Sequence, residues 1–137
     1  MARSPVATKS VQRTLEYLRG EGYECGIAEH WNAFTKQRYD LFGFIDLICL
    51  VPGNPGRIVG IQCCAGSGLA AHRHKILEEC GKDAIQWLES GGFIEIWAWR
   101  KIKLKRGGKA MRWKPKVERI GRTCWSSSSP PGISGSE

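Results

Sequence analysis

Apolar residues first recur at helical spacing at Val11, Leu15 and Leu18. Thr8 stands ahead of them as a capping residue and Gly20 and Gly22 close the run, which predicts an amphipathic helix of about three turns. From Tyr23 to Trp31 the pattern alternates loosely, Tyr23, Cys25 and Ile27 against Glu24, Gly26 and Ala28, and predicts a strand ending near Glu29, His30, Trp31 and Asn32. The stretch from Asn32 to Leu41, with Lys36, Arg38 and Asp40, reads as a polar loop over the end of the sheet that follows. Two continuous apolar runs, Phe44 to Val51 and Ile58 to Cys64, flank the Pro- and Gly-rich segment Pro52-Gly53-Asn54-Pro55-Gly56 and predict paired strands. Ile76, Leu77, Cys80, Ala84, Trp87 and Leu88 then form the apolar stripe of a long helix over 69–90, ended by Gly91 and Gly92. Phe93 to Trp99 is rich in aromatic and β-branched residues and reads as a strand. Lys101 to Arg106, a Gly107-Gly108 turn and Lys109 to Ile120 predict a basic β-hairpin continuing from it. The order is αβββαβ with a terminal strand, an α/β domain over 1–125. Residues 126–137 are Ser/Pro/Gly-rich and predict a disordered tail.

Charge changes this picture at one place. Of the net +8, the segment from Arg100 to Arg122 carries eleven Lys or Arg against one acid, Glu118, so it holds +10 and the remainder of the chain −2. A patch of that density suits a polyanion, nucleic acid or an anionic surface. No apolar run approaches the ~20 residues of a membrane-spanning helix. Met1 to Ser10 lacks the apolar core of a secretory signal. Cys63 and Cys64 are adjacent while Cys25, Cys49, Cys80 and Cys124 are scattered without a C-x-x-C pair, which predicts reduced thiols in a cytoplasmic compartment and no structural zinc.

Each central apolar run carries one residue foreign to a hydrophobic strand. Asp46 follows Phe44 by two positions, and Gln62 follows Ile61. A carboxylate and an amide held in such surroundings are costly unless something binds them, and a metal ion satisfies both. Glu29, at the end of the preceding strand, is a third candidate ligand. The alternative readings are an Asp46 satisfied by a neighbouring amide or by Arg38, a Gln62 amide hydrogen-bonded to a neighbouring loop, and a Glu29 that is a solvated surface charge.

A strand with an acid (Gly43-Phe44-Ile45-Asp46), a turn, and a second strand ending Gln62-Cys63-Cys64 directly before a helix resembles the PD-(D/E)XK nuclease superfamily. The likeness is to its archaeal and viral Holliday junction resolvase branch, over about residues 8–100. Gln62 stands where that family has mostly Glu, and Cys64 where it has mostly Lys. The resemblance implies a restriction-endonuclease-like core with a mixed central sheet and a Mg²⁺ or Mn²⁺ site built from Asp46, Gln62 and the backbone carbonyl of Cys63. Glu29 completes it, or Glu16, since related resolvases carry an acid on the first helix. With Cys64 in the lysine position, Lys75 or Arg73 on the following helix is the displaced base. His72 and His74 are candidates for the acid that protonates the leaving oxygen. Cys64 as a nucleophile paired with either His is the minor alternative. Ala65-Gly66-Ser67-Gly68 is too short for a P-loop and lacks its Lys-Ser/Thr; its glycines permit a tight strand-to-helix turn.

Nucleic-acid contacts are expected from Arg38, His72, Arg73 and Lys75 near the site. Lys101, Lys103, Lys105, Arg106, Lys109, Arg112, Trp113 and Lys114 would add contacts on the hairpin, Trp99 and Trp113 serving as stacking surfaces. The resulting expectation is a metal-dependent endodeoxyribonuclease acting on branched DNA in recombination or repair, in a microbe, phage or virus. It would be a homodimer if it resolves four-way junctions; Trp87, Trp97 and Trp99 are candidates for an exposed patch, although core packing is expected of at least two of them. The alternatives are a nuclease-fold DNA-binding protein without activity, and an RNA-binding or RNA-processing protein.

Overall fold

The computed structural model describes residues 8–125, so the expected disorder of 126–137 lies outside the described residues. Helix α1 (Lys9–Gly20) starts where expected: the Thr8 hydroxyl accepts the Val11 backbone N–H at 3.4 Å. Strands β1 (Glu24–Ile27), β4 (Leu47–Val51), β5 (Arg57–Ala65), β6 (Gly92–Lys103) and β7 (Met111–Ile120) form one sheet in the order β1-β4-β5-β6-β7. Only β5 and β6 run parallel; the other neighbours are antiparallel. The chain is therefore a mixed α/β protein with a mixed central sheet.

α1 covers one face of the sheet and the helices after β5 cover the other. Alternation along β5 sends Val59, Ile61 and Cys63 into the α1 cluster with Val11, Leu18, Trp97 and Trp99. Cys64 faces the opposite cluster, with Ile45, Ile76, Ala84, Ile94 and Ile96. Burial on both faces explains why β5 and β6 read as continuous apolar runs. Gly60 is required there, because a Cβ would come within 2.9 Å of Ile45 and 3.3 Å of Trp87.

Three expectations are corrected. The strand foreseen over 23–31 is two elements: β1, and a three-residue strand β2 (His30–Asn32) that pairs with β3 (Gln37–Tyr39) in a separate hairpin. The Asn32 side chain accepts the N–H groups of Phe34 and Thr35 at 2.9 and 3.1 Å, closing the turn, so the polar loop is half strand. The helix expected over 69–90 is also interrupted. α2 (Leu69–His74) widens into a π-helical turn over Lys75–Glu79, breaks at Cys80, and resumes as α3 (Gly81–Glu89). The Trp125 indole donates to the Leu77 carbonyl at 3.0 Å, holding a backbone oxygen within that widened turn.

The third correction concerns tryptophan. Trp97 and Trp99 are 7% and 5% exposed, so two of the three tryptophans pack in the core as expected, and Trp99 offers no stacking surface. Trp87 is half-buried and donates to the Phe93 carbonyl at 2.8 Å. Trp99 donates its indole N–H to Thr14 Oγ1 at 2.8 Å, and that hydroxyl donates in turn to the Ser10 carbonyl at 2.8 Å. Thr14→Val should therefore lower stability by about 1–3 kcal/mol through an orphaned buried indole N–H. Urea unfolding checks this, and the loss should shrink when Trp99→Phe removes the donor as well.

Candidate metal and nucleic-acid site

Asp46 sits one residue before β4, and its backbone joins three segments. Its N–H donates to the Ile61 carbonyl at 2.8 Å, and its carbonyl accepts the N–H groups of Ala28 and Glu29 at 2.8 and 3.2 Å. This clamp fixes Glu29 and Gln62 beside it. The Asp46 carboxylate accepts the Cys63 backbone N–H and the Gln62 side-chain N–H, each at 2.8 Å. In extended backbone a residue's N–H and C=O leave the strand on the same side, which turns the Cys63 carbonyl toward the same place.

A recess of about 290 Å³ opens here, lined by Thr8, Glu29, Arg38, Asp40, Asp46, Gln62, Cys63, His72 and Lys75. Glu29, Asp40 and Asp46 each bring a carboxylate oxygen to within 4.8 Å of the others. Asp46 is 4% exposed and Glu29 8%. Burial, then the hydrogen-bonded and charged Asp40 carboxylate beside it, push the Asp46 carboxyl up to about 9 despite the Cys63 N–H. Burial also raises Glu29, while its hydrogen bond with Asp46 and the Arg38 charge pull the other way. Burial makes an ionised Asp46 or Glu29 costly unless a cation lies beside it.

Positive charge arrives from two sides. Arg38 lies 3.4 Å from Glu29 Oε2, and Lys75 Nζ lies 3.5 Å from Asp40 Oδ2. His72 Nδ1 is 2.9 Å from the Gly68 carbonyl, which can only accept, so Nδ1 is the donor of that pair. The carbonyl oxygen of Gln62 is buried and meets no hydrogen-bond donor among the described residues, while its nitrogen faces Asp46 and Asp40 at 2.8 and 3.3 Å. The amide thus presents hydrogen donors to the acids. Turning it about its last side-chain bond would offer the oxygen instead.

The recess brings together Glu29, Asp46, Gln62, Cys63, Lys75, His72 and Arg38. Other candidates stand elsewhere. Arg73 is paired with Glu118 of β7 at 2.6 Å and does not line the recess. His74 and Glu16 are exposed outside it. Cys64 is buried in the core, and burial pushes its thiol up to about 11, which leaves it protonated rather than nucleophilic. Asp40 is the residue the sequence reading placed over this end of the sheet without assigning it to the site. Phe42 and Gly43, both at positive φ, reverse the chain after it, and its carbonyl accepts the Gly43 N–H at 3.1 Å.

The basic residues form a second surface. Lys101, Lys103, Lys105, Arg106, Lys109, Arg112 and Lys114 are exposed on the outer part of β6 and β7 and their connection. Trp113 is 41% exposed, but the Arg13 guanidinium lies 3.6 Å from its ring centroid, so that face is already covered. Among the described residues no helix is long and apolar enough to cross a membrane. Comparison with known proteins gives no match: no family model, no curated protein and no solved structure aligns with the chain.

Proposed function

We propose that the chain is a metal-dependent endonuclease of the PD-(D/E)XK type, hydrolysing phosphodiester bonds in DNA and acting on branched forms. The supporting observation is the convergence of Glu29, Asp40 and Asp46, from three separate segments, in a recess that also receives Lys75. An all-oxygen set of buried carboxylates suits a hard divalent cation, Mg²⁺ or Mn²⁺. Asp46, Asp40 and Glu29 would hold it, with the Cys63 carbonyl and a turned Gln62 amide as neutral oxygens. When bound, such an ion supplies Lewis-acid activation of water and of the phosphoryl group.

The remaining work falls to side chains of this chain. Lys75, paired with Asp40 at the edge of the acid cluster, brings a cation to where charge on a bound phosphate would need neutralising. It would stand in for the lysine that Cys64 leaves missing, delivered from the helix instead of the strand. His72 holds or accepts a proton at Nε2 on the same wall. Lys75→Ala should cut turnover about 10-fold while the dissociation constant for DNA stays unchanged; a rise in the dissociation constant as large as the fall in turnover would make it a phosphate clamp.

One observation favours a second reading. The Gln62 nitrogen satisfies the acids by hydrogen bonding, so the cluster is also consistent with a DNA-binding protein that holds no ion. Incubating the protein with labelled four-way junction, flap and linear duplex in Mg²⁺, Mn²⁺ or EDTA separates the two. Metal-dependent cleavage supports the enzyme, and salt-sensitive binding without cleavage supports the second reading. Sedimentation on a junction tests whether two copies engage it.

A further inference from the structure

We infer that the outer end of β6 and β7 is a two-stranded probe that enters the major groove of duplex DNA. This extends the proposed function, resting on it for what is cut but not for what is bound. β5 pairs with β6 only as far as Ala65 opposite Trp99, whereas β6 and β7 stay paired out to Lys103 opposite Met111. From Arg100 onward the ribbon has no third strand, and four residues at ~3.3 Å each carry it about 13 Å past the sheet before the connection begins.

From Arg100 to Lys114 there are eight Lys or Arg and no acid. Their distribution decides how they meet a polyanion. Arg100 opposite Lys114, with Arg112, occupies the ribbon face on the α2 side. Lys101 and Lys103 occupy the other face, where Arg13 reaches across to Trp113. Lys105, Arg106 and Lys109 are in the connection. A ribbon lying flat on a backbone needs cations on one face only. Cations on both faces and the tip match a slot with phosphates along both walls. Arg100 and Lys114 repel each other as a cross-strand pair until an anion intervenes.

Dimensions agree. B-DNA's major groove is about 12 Å wide and about 8.5 Å deep and admits a two-stranded ribbon, whereas the major groove of duplex RNA is too narrow and deep. In the groove Lys105, Arg106 and Lys109 of the connection meet phosphates and, where guanine lies beneath them, its O6 and N7 acceptors. The ribbon base also adjoins the acid recess. A Cβ on Gly66 would lie 3.0 Å from Arg100 Cβ, and one on Gly68 would lie 3.3 Å from His72, which lines the recess. A duplex gripped by the ribbon therefore runs beside the site.

The test is anisotropy of a labelled linear duplex in EDTA. The exposed fivefold variant Lys103→Ser, Lys105→Ser, Arg106→Ser, Lys109→Ser and Arg112→Ser should bind about 100-fold more weakly, with a salt slope smaller by about four. Filling the major groove with bulky substituents on cytosine C5 should weaken the wild type about 10-fold or more and leave the variant unchanged. Duplex RNA of the same sequence should bind at least about 10-fold more weakly. Indifference to the filled groove, displacement by a minor-groove ligand, or equal RNA affinity would overturn the inference. Cleavage with Mn²⁺ is scored separately: groove-sensitive binding without cleavage sinks the nuclease reading alone, and cleavage without groove sensitivity sinks the ribbon alone.

Discussion

Asp46→Asn is expected to abolish metal-dependent cleavage, by about 1,000-fold or more, and at the same time to make the metal-free protein more stable. The two effects have one cause. In the folded, metal-free chain the Asp46 carboxyl is pushed up to about 9, first by burial and then by Asp40. Unfolded, it titrates as an ordinary carboxyl. The folded state therefore binds a proton that the unfolded state releases. Stability from this group is fully present at low pH, below its ordinary value, and is lost as pH rises toward about 9. At pH 7 the loss reaches up to about 4 kcal/mol. Asparagine cannot ionise, and its carbonyl can still accept from Gln62 and Cys63 where the carboxylate does. The stability gap between variant and wild type should widen steadily from pH 4 to pH 9 in EDTA, read by thermal or urea unfolding. A divalent cation should close it from the wild-type side only. A variant less stable than wild type at pH 8 would show that the carboxylate has a structural partner instead.

Asp40→Asn carries the second-largest effect. Asp40 joins the two halves of the recess, 3.5 Å from Lys75 and hydrogen-bonded to Gln62 at 3.3 Å. Its loss should lower turnover about 100-fold and raise the metal dissociation constant at least 10-fold, because one charged ligand and the orientation of Lys75 go together. Asp40 also raises the Asp46 carboxyl, so the variant should flatten the pH dependence of metal-free stability. That profile is the discriminating readout, since a merely misfolded loop would not move it in this direction.

Asp46 and Gln62 were legible because each interrupts an apolar run, and a polar residue in a strand buried on both faces stands out at once. The fold class was legible for the same reason, through period and punctuation. Asp40 was not assigned, because β2 and β3 are three residues each and too short to show a period; the signals were Asn32 as a turn acceptor and the reversal at Phe42 and Gly43. The π-helical turn at Lys75 was invisible as well. Its apolar stripe continues across the break, and the Trp125 indole that reaches Leu77 comes from 48 residues away. Long-range contacts of this kind leave no local pattern. Arg73 and Lys75 looked equivalent on helical spacing, and the partner on β7, Glu118, drew one of them away. Trp99 matched a stacking surface in composition but pairs with Thr14 across the chain.

The most direct measurement is calorimetric titration of Mn²⁺ into the metal-free protein at pH 7, run in two buffers of different ionisation enthalpy. One ion per chain, with close to one proton released on binding and no binding by Asp46→Asn, is the expected result. Absence of binding by the wild type, or binding that survives Asp46→Asn unchanged, would contradict a cation site at Glu29, Asp40 and Asp46.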